Sequence, residues 1–462
     1  MEKDKNFLGT APVGKLLFQL AVPAIAAQII NLLYNLVDRI YIGHMPGNGS
    51  LALTGVGVCL PVIMVVSAFA ALISMGGAPR ASIFMGKQDN PTAEKILGNC
   101  FVLQIVISLI LTTVLLLWNK PLLLMFGASE NTIQYATAYM NIYAAGTIFV
   151  QLTLGMNAFI TAQGFAKTGM LSVLIGAVCN IILDPIFIYG LGMGVRGAAL
   201  ATVISQAIST VWVVSFLSGK KTILKIRRKN MGLHAEILLP CMALGLSPFI
   251  MQASESVITV CFNASLLKYG GDIAVGAMTI LSSVMQFSML PLQGIAQGAQ
   301  PISSYNYGAG NGDRVKKVFW MLLGLSLAYS AILWGGIMIF PQAFAQIFTS
   351  DAALIDFTRE ALRIYAGCLV LMGAQIACQM TFISLGNAVA SIVVAVMRKF
   401  VLLIPLIYIL PHILPDQTMA VYTAEPVADF FAVTFTVCLF AHQFKKALKK
   451  IGGSNTKTQK AE

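Results

Sequence analysis

Apolar residues fall into long, closely spaced runs along this chain, and short polar segments separate the runs. The short alternating segments that are typical of membrane β-barrels are not seen. A helix needs roughly 20 apolar residues to cross a bilayer. Runs of that length cover residues 15–42, 51–79, 96–118, 133–160, 169–190, 197–218, 237–266, 273–304, 318–340, 361–385, 389–410 and 419–441. The pattern therefore predicts an all-α polytopic membrane protein with twelve transmembrane helices.

Composition and charge fit this interpretation. The mean hydropathy is +0.81, and 10% of the residues are charged, where a soluble domain has about 25%. The net charge of +12 arises from Lys and Arg in alternate connections, most densely in KKTILKIRRK (220–229). Because cytoplasmic loops carry such an excess, both termini are expected in the cytoplasm. The basic charge thus indicates membrane orientation and not nucleic-acid binding.

The chain contains an internal repeat. MGGAPRASIFMGKQD (75–89) and QGAQPISSYNYGAGN (297–311) align at a constant offset of 222. The offset pairs Pro79 with Pro301, Ser82 with Ser304, Gly86 with Gly308, and Gly164 with Gly386. An even number of spans per copy predicts parallel six-helix bundles related by a pseudo-two-fold axis along the membrane normal. We name residues 1–218 the amino half and 237–444 the carboxyl half, joined by a cytoplasmic linker (219–236) and followed by a basic tail (445–462).

Two bundles around a central cavity are typical of a secondary transporter. The sequence has no G-x-x-x-x-G-K-[ST] loop for a nucleotide, so an ion gradient is the expected energy source. A channel is an alternative, but no repeated filter-like sequence is present. No nucleophile, base and acid are arranged for catalysis, so an enzyme is not expected.

Polar residues in the spans of the amino half point to a cation site. A charge in hydrocarbon costs at least about 2.5–3.5 kcal/mol on insertion scales. Asn180 and Asp184 are four residues apart, and Pro185 is expected to disturb the turn before it. Carboxylate and amide oxygens suit a small hard cation such as Na+, or the acid can take H+. The other polar positions are Asn31, Asn35 and Asp38 on one face of the first span, with Thr202 and Gln206 in the sixth.

A structural role is the alternative for these acids. Asp184 would then hydrogen-bond to neighbouring helices, and Asp38 would pair with Arg39.

The carboxyl half carries a different set. Gln252 and Glu255 are three residues apart in the seventh span, and Glu255 needs a partner or a proton. Pro405 matches Pro185 at an offset of 220, so Ile404 replaces Asp184. Arg398 and Lys399 are predicted to extend to the cytoplasmic interface. Glutamines follow helix faces and serve either to bind a ligand or to hold helices together: Gln286, Gln293, Gln297 and Gln300 in the eighth span, Gln375 and Gln379 in the tenth.

Three segments carry a family resemblance: NIILDPIFIYGLGMGVRGAALATVISQ (180–206), PRASIFMGKQD (79–89) and GIAQGAQPISSYNYGAGN (294–311). They resemble the multidrug and toxic compound extrusion (MATE) family, in particular its MepA-like bacterial branch, which is related to the DinF type. The resemblance implies a twelve-helix fold in two bundles and export of organic cations against inward Na+ or H+. It places an amino-half cation site on Asp38, Asn180, Asp184 and Thr202, with Asn157 as a further member.

In the carboxyl half, Glu255 matches an acid of the NorM-like branch. That branch has a second acid in the tenth span, where this chain has Val370, Leu371, Met372 and Gly373. Glu255 is therefore expected to meet the drug cation, together with Gln252, Asn31, Asn35 and Gln286.

The expected protein is a monomeric antiporter of the bacterial cytoplasmic membrane that exports cationic drugs or dyes. It needs no cofactor besides the coupling ion and no metal other than Na+ at Asp38 and Asp184. The alternative is a flippase for a lipid-linked precursor, which would require several basic residues in the cavity. Arg39, Arg398 and Lys399 are the candidates within the spans.

Overall fold

The computed structural model describes residues 6–47 and 49–458, without the side chains of 452–458. The described residues of the amino half form α1 to α8: Phe7–Thr10, Val13–Gly43, Gly49–Gly86, Asn90–Met125, Ile133–Ala145, Thr147–Ala162, Ala166–Pro185 and Val195–Ser218. Those of the carboxyl half form α9 to α16: Ala235–Gly308, Gly312–Ile339, Pro341–Gln346, Ala352–Tyr365, Leu369–Ser384, Ala388–Val396, Ile404–Ile409 and Gln417–Thr458. Short π-helical segments follow α7 (Ile186–Gly190) and α14 (Met397–Leu403).

In the described part of the chain, nine helices are long and apolar enough to cross a membrane. Two bent pairs, α5 with α6 at 57° and α12 with α13 at 48°, raise the number to eleven. Helix α9 has 74 residues and breaks at Gly271, where φ is +67°. At 1.5 Å per residue it would be about 110 Å long, far more than a bilayer core of about 30 Å. Counted as two spans, it brings the total to twelve, the predicted number.

The repeat seen in the sequence is also present in the contacts. Ser82 donates a hydrogen bond to the carbonyl of Ala162 at 2.7 Å, and Ser304 donates one to the carbonyl of Ser384 at 2.9 Å. Donor and acceptor are both related by the offset of 222. Gly164 and Gly386 also match, each with a left-handed backbone, at φ +85° and +72°. These local features repeat in the two halves, as two bundles with the same internal plan require.

Glycines join the two halves by direct backbone contact. At Gly86 an added Cβ would collide with the carbonyl of Tyr305, and at Gly308 with that of Ile83. The two contacts exchange under the offset of 222, as expected for a pseudo-two-fold axis between the halves. Both lie where α3 and α9 end, beside the helix ends that border the linker.

Helix α1 and the residue that follows it reinforce the same end of the molecule. Asn306 donates to the carbonyl of Leu8 at 2.9 Å, and Arg314 donates to the carbonyls of Leu8 and Ala11 at 3.2 and 2.7 Å. The carboxyl half thereby satisfies backbone groups where α1 ends, as helix ends require. The halves are thus held together at the linker end.

Candidate functional site

The amino half buries two acids side by side, and we call Asp38 and Asp184 the acid pair. Asp38 lies on α2 and is 8% exposed, and Asp184 lies near the end of α7 and is fully buried. Their carboxyl groups are within hydrogen-bonding reach of each other. The amide of Asn180 donates to Asp184 Oδ1 at 3.3 Å and approaches Thr202 Oγ1 at 3.4 Å. The structure therefore brings together the four residues that the family resemblance implied.

Several oxygens of this group have no hydrogen-bond donor among the described residues: Asp38 Oδ1, Asp184 Oδ2, Asn180 Oδ1 and Gln206 Oε1. Beside them is a cavity of about 40 Å³, enough for a few water-sized groups. Asn31, Tyr34, Asn180, Thr202 and Gln206 line part of it. Oxygen atoms lacking donors are the ligands that a hard cation requires, so the donor set fits Na+ or a proton.

The acid pair has no basic partner among the described residues. The five ion pairs of that part of the chain do not include one between Arg39 and Asp38. Asn180 does contact Asp184, as a packing role would require, but it satisfies one oxygen of the carboxylate and leaves the other unpaired.

The remaining predicted residues differ from expectation in their contacts. Asn31 lines the cavity beside the acid pair, whose lining does not include Glu255. Asn35 donates to the backbone carbonyl of Asn31 at 2.6 Å. Asn157 contacts the carbonyl of Gly169, which is eleven residues before Asn180 and therefore about 16 Å away along α7. The irregular turn at Pro185 is also not where it was expected. It follows the proline as a π-helical turn, while the preceding turn stays α-helical.

The carboxyl half contains a cluster of five charged side chains, which we call the charge cluster. The Lys399 ammonium lies 2.7 Å from the Glu255 carboxylate. Arg398 pairs with Asp429 at 2.7 Å and with Glu425 at 3.0 Å. Glu425 and Asp429 are four residues apart on α16, so one face of that helix presents both acids to the guanidinium. All five members are within ion-pair distance of an opposite charge.

The prediction that Arg398 and Lys399 extend to the interface was therefore wrong. Both are buried, at 7% and 4% exposed. Lys399 is eleven residues past the start of α14, or about 16 Å along the helix, near the middle of the span. Neutralisation by acids on α9 and α16 removes the need to reach water. Glu425 and Asp429 were missed, although two acids spaced four apart in the run 419–441 were a usable signal.

Two of the predicted glutamines, Gln379 and Gln297, contact another helix. Gln379 donates to Ser247 Oγ at 3.0 Å, and Gln28 donates to Gln297 at 3.3 Å between the two halves. Gln286 is exposed on α9, and Gln252 lies one turn before Glu255, partly buried. Gln252 is thus the predicted substrate-binding glutamine that accompanies Glu255.

A family model described as MatE matches residues 23–186 and again residues 248–409. The two matches cover more than half of the chain, one in each half. A multidrug export protein, MepA, from Staphylococcus haemolyticus is 24% identical over 93% of this chain and 95% of that protein. An FAD transporter from Shewanella oneidensis is 23% identical over 92% of this chain and 94% of that protein.

The fold also matches a solved structure over its full length. A crystal structure of MATE in the bent conformation superposes with a TM-score of 0.91 at 23% identity, covering 98% of this chain and all of that one. These relatives are transporters and not enzymes, and the chain has the many apolar helices of a multi-pass membrane protein. The chain belongs to the MatE family.

Proposed function

We propose that the protein is a secondary active multidrug antiporter that exports cationic amphiphilic compounds in exchange for Na+ or H+. The acid pair supports this proposal most directly, because two buried carboxyl groups lie together with unpaired oxygens and no basic partner in the described residues. Such groups need a cation from solution, and the membrane makes their ionised form costly. The export of drugs by MepA proteins of similar length supports the substrate class.

The packing of the halves supports alternating access. The backbone contacts of Gly86 with Tyr305 and of Gly308 with Ile83 close the linker end. The excess of Lys and Arg in the linker and tail favours a cytoplasmic location for that end. We infer that the halves separate at the opposite, outer end, so that this state takes up the coupling ion and releases the drug.

Exchange follows from competition for negative charge. Na+ or H+ at the acid pair removes the repulsion between Asp38 and Asp184 and lets α2 and α7 pack more closely. A cationic drug, by contrast, is held best when the carboxylates are charged. Ion and drug therefore weaken each other's binding by the same factor, as linkage requires. Couplings of this kind are typically 5–150-fold, enough to make one movement depend on the other.

Charge favours cations over large anions as substrates. A flippase for a lipid-linked pyrophosphate, or a carrier for FAD as named for the Shewanella relative, needs basic groups free to bind phosphate. Arg398 and Lys399 are both paired with acids. The charge cluster has two basic and three acidic members, so its net formal charge is negative.

The test is dye efflux from proteoliposomes, with a pH gradient and a Na+ gradient imposed separately. We expect one gradient to drive a rhodamine-type cation uphill and Asp184→Asn or Asp38→Asn to reduce that flux to background. Asp356→Asn serves as a matched control, because the Asp356 side chain is 65% exposed and outside the site. Wild-type rates in Asp184→Asn would contradict the proposal, as would dye movement that follows neither gradient.

A further inference from the structure

The two side chains of the Lys399–Glu255 ion pair differ in their exposure. The two side chains meet at 2.7 Å, but that of Lys399 is 5% exposed and that of Glu255 is 52% exposed. The Glu255 side chain therefore forms part of the protein surface, whereas the Lys399 side chain is enclosed. Gln252 lies one turn before it on the same helix. A ligand that approaches this surface meets the carboxylate first and the ammonium directly behind it.

This arrangement penalises a simple cation. A drug ammonium that takes over Glu255 removes the partner that the structure gives to the Lys399 ammonium. A buried charge left without its partner is strongly unfavourable, more so than the loss of an exposed ion pair. The other two acids of the charge cluster do not replace Glu255 as the partner of Lys399, because Glu425 and Asp429 are already paired with Arg398.

A ligand with both charges avoids that penalty. If its cation pairs with Glu255 while its anion pairs with Lys399, one ion pair is exchanged for two and neither protein charge is left alone. Lys suits this role because its ammonium is a compact charge with three donors on a flexible stem. Arg398 does not, since two acids hold its guanidinium fork from α16.

We propose that Lys399 makes the carboxyl half selective for zwitterionic amphiphiles, with Glu255 binding the cationic group and Lys399 binding a carboxylate on the same molecule. This inference rests on the proposed export function and narrows its substrate class. Lys399 acts here as a specificity-determining residue that touches the substrate.

The experiment compares two dyes that differ in one group. Rhodamine 110 carries a free carboxylate and a cationic ring system, and rhodamine 123 is its methyl ester and carries the cation alone. Uphill efflux of each dye is measured in proteoliposomes for wild type, Lys399→Gln and Lys399→Arg. We expect Lys399→Gln to lower the ratio of rhodamine 110 to rhodamine 123 rates at least tenfold. We expect Lys399→Arg to restore most of the ratio, and Lys445→Gln in the exposed tail to leave it unchanged.

Binding to the wild-type protein supplies a second measurement that needs no variant. Fluorescence polarisation of each dye with purified protein is expected to show tighter binding of rhodamine 110 by at least tenfold.

The outcomes separate the two proposals. Wild-type protein that moves neither dye uphill contradicts the export function itself. Wild-type export with an unchanged dye ratio in Lys399→Gln overturns the present inference and leaves the export function standing. An equal fall for both dyes in Lys399→Gln shows a structural ion pair and also overturns it, as does tighter binding of the ester.

Discussion

The two halves of the molecule bury acids in opposite ways. In the amino half, Asp38 and Asp184 lie together with no basic partner among the described residues. In the carboxyl half, Glu255, Glu425 and Asp429 are each paired with Arg398 or Lys399. An acid that must find its cation in solution is able to respond to an ion gradient. An acid whose cation is a side chain is fixed until a ligand competes for it.

The contrast arises on one shared backbone plan. Ser82 and Ser304 make equivalent hydrogen bonds, and Gly86 and Gly308 make equivalent contacts across the axis. The difference lies in a few side chains around Pro185 and Pro405, where Asp184 is replaced by Ile404. A duplicated bundle has thus kept its packing and changed its charges.

The difference in charge pairing between the two halves is tested most directly by removing one charge from each half and measuring stability. Arg398→Met leaves Glu425 and Asp429 buried without a partner, so we expect a loss of about 3–5 kcal/mol. Asp184→Asn removes a charge that has no basic partner, so we expect little change or a gain in stability. Thermal unfolding of the purified proteins in detergent measures both.

A matched rescue distinguishes charge from packing in this prediction. The triple variant Arg398→Met, Glu425→Gln, Asp429→Asn removes the whole buried group, and replacing all members of such a group is often neutral. We expect it to melt close to wild type. If the triple variant is as unstable as Arg398→Met, the loss comes from packing, and the contrast between the halves is not electrostatic.

Much of the fold follows from the sequence because the membrane constrains it strongly. Apolar runs predicted the spans, and the offset of 222 predicted pairs of contacts such as those of Ser82 and Ser304. The polar, amphipathic α12 was missed, since the predicted run begins at 361 and the helix at Ala352. The break at Gly271 lies in the gap between the predicted spans 237–266 and 273–304 and was therefore expected. Runs of apolar residues do not report bends within a span, and the bend at Gly146, inside the run 133–160, was not foreseen.

The charge cluster was the part that could not be derived from one span at a time. Arg398 and Lys399 belong to one helix, Glu255 to another and the remaining acids to a third. Whether a buried base extends to water or meets an acid depends on which helices are neighbours. A single sequence gives spacing along a helix, as it did for Asn180 and Asp184, but not that neighbourhood.

A second prediction concerns the contact that both halves share. Gly86→Ala and Gly308→Ala each place a Cβ against a backbone carbonyl of the other half. We expect each substitution to destabilise the state that is closed at the linker end. Dye export should slow about tenfold, which corresponds to a free-energy change of about 1.4 kcal/mol. Cys241 is 1% exposed on α9, and its backbone carbonyl contacts Gly76 of the other half. Its thiol should react faster with a maleimide when the two halves separate there.

Peptide mass spectrometry separates Cys241 from the other cysteines in that experiment. Gly324→Ala is the matched control, because an added Cβ there meets nothing within 4 Å. If one glycine tolerates alanine and the other does not, the equivalence of the two contacts is wrong.

The smallest effect is expected at two equivalent serines, which test whether the two halves share the same backbone packing. Ser82→Ala and Ser304→Ala each remove a buried hydrogen bond to a helix-end carbonyl, at Ala162 and Ser384. A bond of this kind contributes about 0.5–1.5 kcal/mol, so both variants should melt slightly below wild type and by similar amounts. Thr434→Val, which removes an exposed hydroxyl, is the control for a β-hydroxyl whose loss costs little. If the two serines differ by more than about 1 kcal/mol, the halves differ in backbone packing as well. The opposite treatment of acids in the two halves could then no longer be assigned to the charged side chains alone.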